Sequence, residues 1–152
     1  MNLIIRPAQV TDANVICEFN RLLASETESK HLDPAILKTG VAAMLADAHK
    51  GRYFVAVTGE AIVGQLGVTL EWSDWRNGYF WWIQSVYVAK TARRHGVFRA
   101  LYDHLLREAR AQADVIGVRL YVEHNNLVAQ ATYRKMGMAM TGYQVMEAEL
   151  TV

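Results

Sequence analysis

The sequence is poor in cysteine and has no long apolar run, and each shortage excludes a class of protein. Cys17 is the only cysteine in the chain, so an intramolecular disulfide is excluded and a reducing compartment is favoured. No apolar run approaches the roughly 20 residues that a membrane-spanning helix needs. The first residues also lack a basic segment followed by an apolar one, so we expect no signal peptide. The sequence therefore predicts a cytoplasmic protein with no membrane partner.

The chain also lacks an excess of charge of one sign. Its 16 Lys and Arg residues against 15 Asp and Glu residues give a formal net charge of +1, so nucleic acid is not an expected partner. The basic residues are concentrated instead at Arg93, Arg94, His95 and Arg99. A hydrophobic fraction of 52% and a charged fraction of 20% are typical of a globular protein. We predict one domain over residues 1–152, because this length suffices for a single core.

Hydrophobic periodicity and turn residues predict the element order β-α-α-β-β-β-α-β-α-β. Residues 25–31 are polar and predict a loop after the first helix, and Asp33-Pro34 predicts the start of the second. Residues 138–150 predict a last strand or strand pair. Hairpins come early and helical crossovers late, so we expect an α/β fold with a mixed sheet.

The segment Ile83–Leu106 predicts a strand, a basic turn and a helix. Val97, Leu101 and Leu105 recur at the spacing of one helix face, and Gly96 precedes them. The first turn of a helix offers unpaired N–H groups and a positive dipole end, which attract anions. We therefore expect a phosphate-bearing ligand on residues 94–98.

Two segments together resemble the GCN5-related N-acetyltransferases (GNAT superfamily). The first, R-R-H-G-V-F at residues 93–98, is similar to the pattern Q/R-x-x-G-x-G/A that follows strand four, although Phe98 replaces the last small residue. The second, at residues 126–138, is similar to N-x-x-A-x-x-x-Y-x-x-x-G-F and ends in Met138 instead of Phe. The resemblance implies a central mixed sheet of six to seven strands, flanked by four helices and splayed between strands four and five.

The resemblance also implies acetyl-CoA as co-substrate, with no metal. Its pyrophosphate would rest on backbone N–H groups of the turn, and its pantetheine arm would pair with strand four, where the N–H of Val88 would hold the oxyanion. Tyr133 would be the general acid that protonates the departing thiolate. The implied cofactor-binding residues are Val86, Val88, Arg93, Arg94, His95, Gly96, Val97, Phe98, Arg99, Asn126, Ala129 and Tyr133.

The general base and the acceptor site are open at this point. Histone-acetylating relatives carry a glutamate early in strand four, where this chain has Trp82. Glu71 is the first substitute, and the alternatives are Glu123, His124 or a water molecule held by Gln84 or Ser85. Glu26 and Glu28 could attract a cationic acceptor, and Trp72 and Trp75 could line its site or form a homodimer contact.

Three functions remain in competition. The first is an N-acetyltransferase in which a small-molecule or peptide amine attacks the thioester directly. The second is a non-catalytic acyl-CoA-binding or sensor module, suggested by the missing strand-four carboxylate. The third is an RNA- or nucleotide-binding protein that uses residues 93–99, which the near-zero net charge and the lack of a G-K-[ST] phosphate loop disfavour.

Overall fold

The computed structural model describes residues 2–150. Within them lie five strands and four α-helices. The strands are β1 (Ile4–Pro7), β2 (Arg52–Thr58), β3 (Ala61–Ser73), β4 (Gly78–Val88) and β5 (Val115–Leu120), and the helices are α1 (Ala13–Glu28), α2 (Pro34–Ala46), α3 (Val97–Arg110) and α4 (Leu127–Lys135). Among these residues no helix is both long and apolar enough to cross a membrane.

The five strands form one sheet in the order β1-β2-β3-β4-β5. Neighbouring strands are antiparallel from β1 to β4, and β4 pairs with β5 in parallel, which confirms the predicted mixed sheet. The prediction of six to seven strands is wrong, because residues 138–150 contain no strand and are mostly exposed. Alternating apolar residues make a strand only where a neighbouring strand accepts their backbone hydrogen bonds.

The two faces of the sheet carry different helices. Tyr53 of β2 packs in a core cluster with Ile16 of α1 and Val41 of α2. The next residue, Phe54, contacts the ring of His104 on α3 at 5.1 Å. Successive side chains of a strand point to opposite faces, so α1 and α2 cover one face and α3 covers the other.

The ends of the first two helices follow local chemistry. Asp33 caps α2 by accepting from the N–H groups of Ala35 and Ile36 at 2.9 and 3.1 Å, as its sequence predicts. The predicted loop over residues 25–31 is wrong in its first half, because α1 continues to Glu28 and ends where Ser29 adopts a φ of 51°. The polar run reflects an exposed last turn of the helix.

The chain divides into two compact units, Met1–Leu120 and Tyr121–Val152. The second contains α4, which Asn126 caps by accepting from the N–H of Ala129 at 3.1 Å. Gln130 is buried there and donates to the carbonyl groups of Glu123 and His124, both at 3.0 Å. That the whole chain forms a single domain stays a prediction.

Candidate active site

The turn between β4 and α3 has an unusual backbone. Arg94 has a φ of 67° and Gly96 a φ of 75°, both in the left-handed region that favours glycine. Gly96 is the N-cap of α3 and gives it no side-chain cap. A Cβ added at Gly96 would meet no atom within 4 Å. The first turn of α3 therefore presents N–H groups to open space, as an anion site requires.

A cavity of about 330 Å³ lies against this turn. It is lined by Val88, Ala92, Arg93, Arg94, Gly96, Val97, Phe98 and Arg99. Seven of these eight are among the residues that the sequence predicted for the cofactor. The predicted His95 and Val86 do not line the cavity, and His95 Nδ1 lies 2.8 Å from the carbonyl oxygen of Arg93. The unexpected Phe98 ring lies beside Tyr102, with centroids 6.1 Å apart.

Arg93 connects the end of β4 to the end of α1. Its Nε donates to the carbonyl oxygen of Val88 at 2.9 Å, and its guanidinium donates to Glu26 Oε2 at 2.8 Å. Glu26 Oε1 accepts from the Tyr87 hydroxyl at 2.9 Å and lies 3.6 Å from Lys90 Nζ. The bonds from Arg93 and then Tyr87 hold the pKa of Glu26 below its usual range. The structure thus joins two residues that the sequence assigned to different ligands, Arg93 to the cofactor and Glu26 to the acceptor.

A second cavity, of about 440 Å³, lies between α1, α2 and the sheet. Apolar side chains make most of its wall, with polar groups at Asn20, Tyr53 and Ser85 and one charge at Glu28. The lining residues are Asn20, Leu23, Ala24, Glu28, Leu32, Ile36, Leu37, Gly40, Val41, Met44, Tyr53 and Ser85. Most of these were not predicted as site residues, because they come from four elements and a connecting loop that only the fold brings together.

A buried hydrogen-bond network lies behind this cavity. Gln65, which is fully buried, donates from Nε2 to Asn20 Oδ1 at 3.2 Å and to the carbonyl oxygen of Ser85 at 3.0 Å. Asn20 donates from Nδ2 to the Tyr53 hydroxyl at 3.1 Å. The one available signal in the sequence was Gln65 itself, a polar residue inside the apolar run V-G-Q-L-G-V.

A β-bulge in β4 gives this network its shape. Gln84 pairs with Gly67, and Tyr87 pairs with Gln65. Two residues of β4, Ser85 and Val86, therefore lie opposite the one β3 residue that separates Gln65 from Gly67. Ser85 has a φ of 51°, a strained value for a residue with a side chain. The pairing of β4 with β5 ends at Ile83 and Leu120, so β4 extends beyond that pairing at its bulged end.

Tyr133 lies on α4 in the second unit. Ala129 precedes it by one helical turn, so both lie on one face of that helix. Tyr133 is half-buried, and burial raises the pKa of its phenol. A phenol is protonated at neutral pH even without this shift, so the side chain has a proton to supply.

The family model for the Acetyltransferase (GNAT) family matches residues 16–138. The chain belongs to this family. A search of curated proteins found no match.

Solved structures agree with GNAT membership. A possible acetyltransferase from Clostridium difficile 630 is similar at 43% identity over 100% of both chains, with a TM-score of 0.94. A ribosomal-protein-alanine N-acetyltransferase from Brucella melitensis biovar Abortus 2308 has 14% identity, with 99% and 100% of the two chains covered and a TM-score of 0.78. An aminoglycoside acetyltransferase from an uncultured soil metagenomic sample has 17% identity, 100% and 99% coverage and a TM-score of 0.71. At these low identities, the last two structures show only that they have the same fold as this chain.

GNAT enzymes use acetyl-CoA as co-substrate, and the turn before α3 fits its phosphate end. Open space beside Gly96 and the left-handed backbone of Arg94 leave room for an anion on the N–H groups. In residues 2–150, no group of three or more His, Cys, Asp or Glu side chains could hold a metal ion. The turn can therefore hold an anion through backbone groups.

Glu71 and the exposed tryptophans lie at the opposite end of β4 in this GNAT chain. Glu71 pairs with Phe80 in the β3–β4 ladder. Phe80 lies eight residues before Val88, so Glu71 and Val88 are about 26 Å apart along the strand. Its Oε1 accepts from Arg119 at 3.1 Å and from the Trp82 indole at 2.9 Å. This placement does not support Glu71 as a base near Val88.

Trp72 and Trp75 lie at the same end of the strand pair as Glu71. The Trp72 ring contacts Tyr79 at 4.9 Å, whereas Trp75 is 87% exposed. Neither residue lines either cavity. Their part in an acceptor site or in a homodimer contact stays a prediction.

Proposed function

We propose that the protein is an N-acetyltransferase that transfers the acetyl group of acetyl-CoA to an amine acceptor by direct attack in a ternary complex. The observation that carries this proposal is that β4 borders both cavities, Val88 at the first and Ser85 at the second. These residues are three positions apart, about 10 Å along a strand. If acetyl-CoA occupies the first cavity and the amine the second, the two reactants meet on one rigid strand, as direct transfer requires.

In this proposal the turn before α3 holds the pyrophosphate on backbone N–H groups between Arg94 and Arg99. Val86 and Val88 lie past the last residue of β4 that pairs with β5, so backbone groups on that edge are candidates to pair with the pantetheine arm. The Val88 N–H then stabilises negative charge on the thioester oxygen. Arg93 acts by positioning, because its guanidinium ties the Val88 carbonyl to Glu26.

Tyr133 is the proposed general acid. The amine nitrogen forms a bond to the thioester carbon and loses a proton to solvent, the carbon–sulfur bond breaks, and the Tyr133 phenol gives its proton to the thiolate. The Tyr133 phenol is protonated at neutral pH, as a general acid must be before the reaction. Asn126 uses Oδ1 to cap α4 and retains Nδ2 as a donor for the pantetheine arm.

A thiol-release assay with acetyl-CoA and a panel of primary amines tests the transfer. We expect release above the blank with at least one amine, and Tyr133→Phe should lower kcat by about 10²- to 10⁴-fold. Tyr143→Phe is the matched control, because Tyr143 is an exposed tyrosine in the same unit, and should leave kcat unchanged. Unchanged turnover in Tyr133→Phe would remove Tyr133 from the mechanism.

The alternative of an acyl-CoA-binding module without catalysis is favoured by one observation. The strand-four position that holds a glutamate in histone-acetylating relatives is Trp82 here, and its indole donates to Glu71. Thermal stabilisation by acetyl-CoA without thiol release for any amine would select this alternative.

A further inference from the structure

The hydrogen-bond network behind the second cavity has a fixed direction. The carbonyl oxygen of Ser85 can only accept, so the group of Gln65 that faces it must be the NH₂. The other hydrogen of that NH₂ requires an acceptor, which fixes Asn20 with Oδ1 toward Gln65. Asn20 then presents its own NH₂ to Tyr53. The backbone carbonyl of the bulge thereby sets the orientation of both amides.

The direction of the network determines what Tyr53 offers to a ligand. Its oxygen already accepts from Asn20, so its O–H points away from Asn20. Tyr53 lines the cavity, and the network assigns no acceptor to that proton. A buried hydroxyl with an unused donor favours a ligand that brings an acceptor atom.

The charge of the cavity determines which kind of hydrogen-bond acceptor a ligand can place there. Among the described residues that line the cavity, Glu28 is the only charged one, and none is Lys, Arg or His. Lys30 pairs with Glu28 at 3.9 Å but is not part of the wall. A carboxylate placed there would be desolvated without a positive partner and repelled by Glu28. An ammonium group and a neutral oxygen are accommodated.

We propose that the acceptor is a primary amine with a branched apolar body and an uncharged oxygen, such as an amino-acid amide, and that Tyr53 donates a hydrogen bond to that oxygen. The apolar body packs on Leu23, Leu32, Ile36 and Met44, and the cavity of about 440 Å³ accommodates a side chain of leucine size. This inference rests on the proposed function and names its substrate class. Tyr53 is a specificity-determining residue and takes no part in proton transfer.

The test compares two amines that share a branched body and differ by the carboxamide group that carries the oxygen. Leucinamide carries the carbonyl, and 3-methylbutylamine has the same branched body without it. For each amine, kcat/KM of Tyr53→Phe is divided by that of the wild type, so the different basicities of the two amines cancel. We expect a loss of roughly 3- to 10-fold for leucinamide, the value of one hydrogen bond, and no change for 3-methylbutylamine.

Asn20→Asp is the second variant, and it retains the Tyr53 hydroxyl. A carboxylate at this position can only accept, so the Tyr53 O–H turns toward Asp and away from the ligand. This variant should reproduce the selective loss for leucinamide. Thermal stabilisation by CoA verifies that each variant is folded.

Four outcomes would each contradict a different part of the proposal. Equal losses for both amines in Tyr53→Phe would show a structural role and overturn the inference. Thiol release with other amines, but with neither of these two, would overturn the substrate class and leave the proposed function in place. No release with any amine would overturn the proposed function itself. Preference of the wild type for leucine over leucinamide at equal concentrations of free amine would overturn the charge argument.

Discussion

The proposed anion site in the turn before α3 can be tested by adding a single methyl group at Gly96. Gly96 has a φ of 75°, and a Cβ added there meets no atom within 4 Å. Gly96→Ala therefore causes no clash within the protein, and its cost to stability is the conformational cost of a left-handed residue with a side chain, about 1–2 kcal/mol. For a chain of this size, each 1 kcal/mol lowers Tm by roughly 2–4 °C. Urea denaturation monitored by tryptophan fluorescence measures the change.

The same methyl group has a separate effect on ligand binding. It projects into the open space beside the first turn of α3, where the pyrophosphate is proposed to lie. We expect the Kd for CoA, measured by calorimetry, to rise at least about tenfold, which corresponds to about 1.4 kcal/mol. The loss should be smaller for pantetheine derivatives that lack the nucleotide, since they do not reach this turn.

Gly59→Ala is the matched control. Gly59 has a φ of 61° in the β2–β3 turn, and a Cβ there also meets no atom within 4 Å. It should cost the same 1–2 kcal/mol or so and leave the Kd for CoA unchanged. If both variants weaken CoA binding equally, the effect of Gly96 comes from stability alone. If neither does, the phosphate is not bound at this turn.

Two further predictions concern stability. Gly40→Ala should stabilise the protein by about 0.5–1 kcal/mol in urea denaturation, because Gly40 lies inside α2 and an added Cβ meets no atom within 4 Å; a destabilised variant would contradict the helical role. Asp12→Asn should cost about 1.5–3 kcal/mol, because it removes charged hydrogen bonds from Arg6 at 2.8 and 3.1 Å. The pKa of Asp12 is lowered, chiefly by Arg6, so its contribution is complete above the ordinary aspartate pKa and is lost as the pH falls through the lowered value. The difference in Tm between wild type and Asp12→Asn should therefore shrink on acidification, and a constant difference would refute the assignment.

Local features of the sequence predicted the turn and its helix well. The strand before it, the apolar spacing of Val97, Leu101 and Leu105, and Gly96 at a position that needs a left-handed backbone are all encoded within a short stretch. The cap at Asp33 is equally local. These features could be predicted because each depends on neighbours in the chain and not on the fold.

Contacts between residues that are far apart in the sequence could not be predicted. Glu26 and Arg93 are far apart in sequence, and nothing in either segment indicates that they form an ion pair. The network of Asn20, Tyr53 and Gln65 likewise exists only after α1, β2 and β3 have packed. Residues 138–150 had a strand-like pattern, but a strand also needs a partner, and the pattern cannot show whether one is available.

The bulge at Ser85 and Val86 also reverses which face of the sheet each later residue of β4 occupies. Before it, Ile83 lies opposite Val68 and shares the α3 face with Trp81, which packs against Arg52. After it, odd-numbered Tyr87 contacts Phe19 on the α1 face.

Val88, in turn, pairs with Gly64, where a Cβ would meet Val97 and Leu101 of α3. Deleting one of the two bulged residues would restore strict alternation and exchange the faces of Tyr87 and Val88. Glu26 would lose its hydrogen bond from Tyr87, and the Val88 side chain would leave the face on which α3 lies. The face that each side chain occupies at this end of β4 is thus a matter of parity, set by a single extra residue.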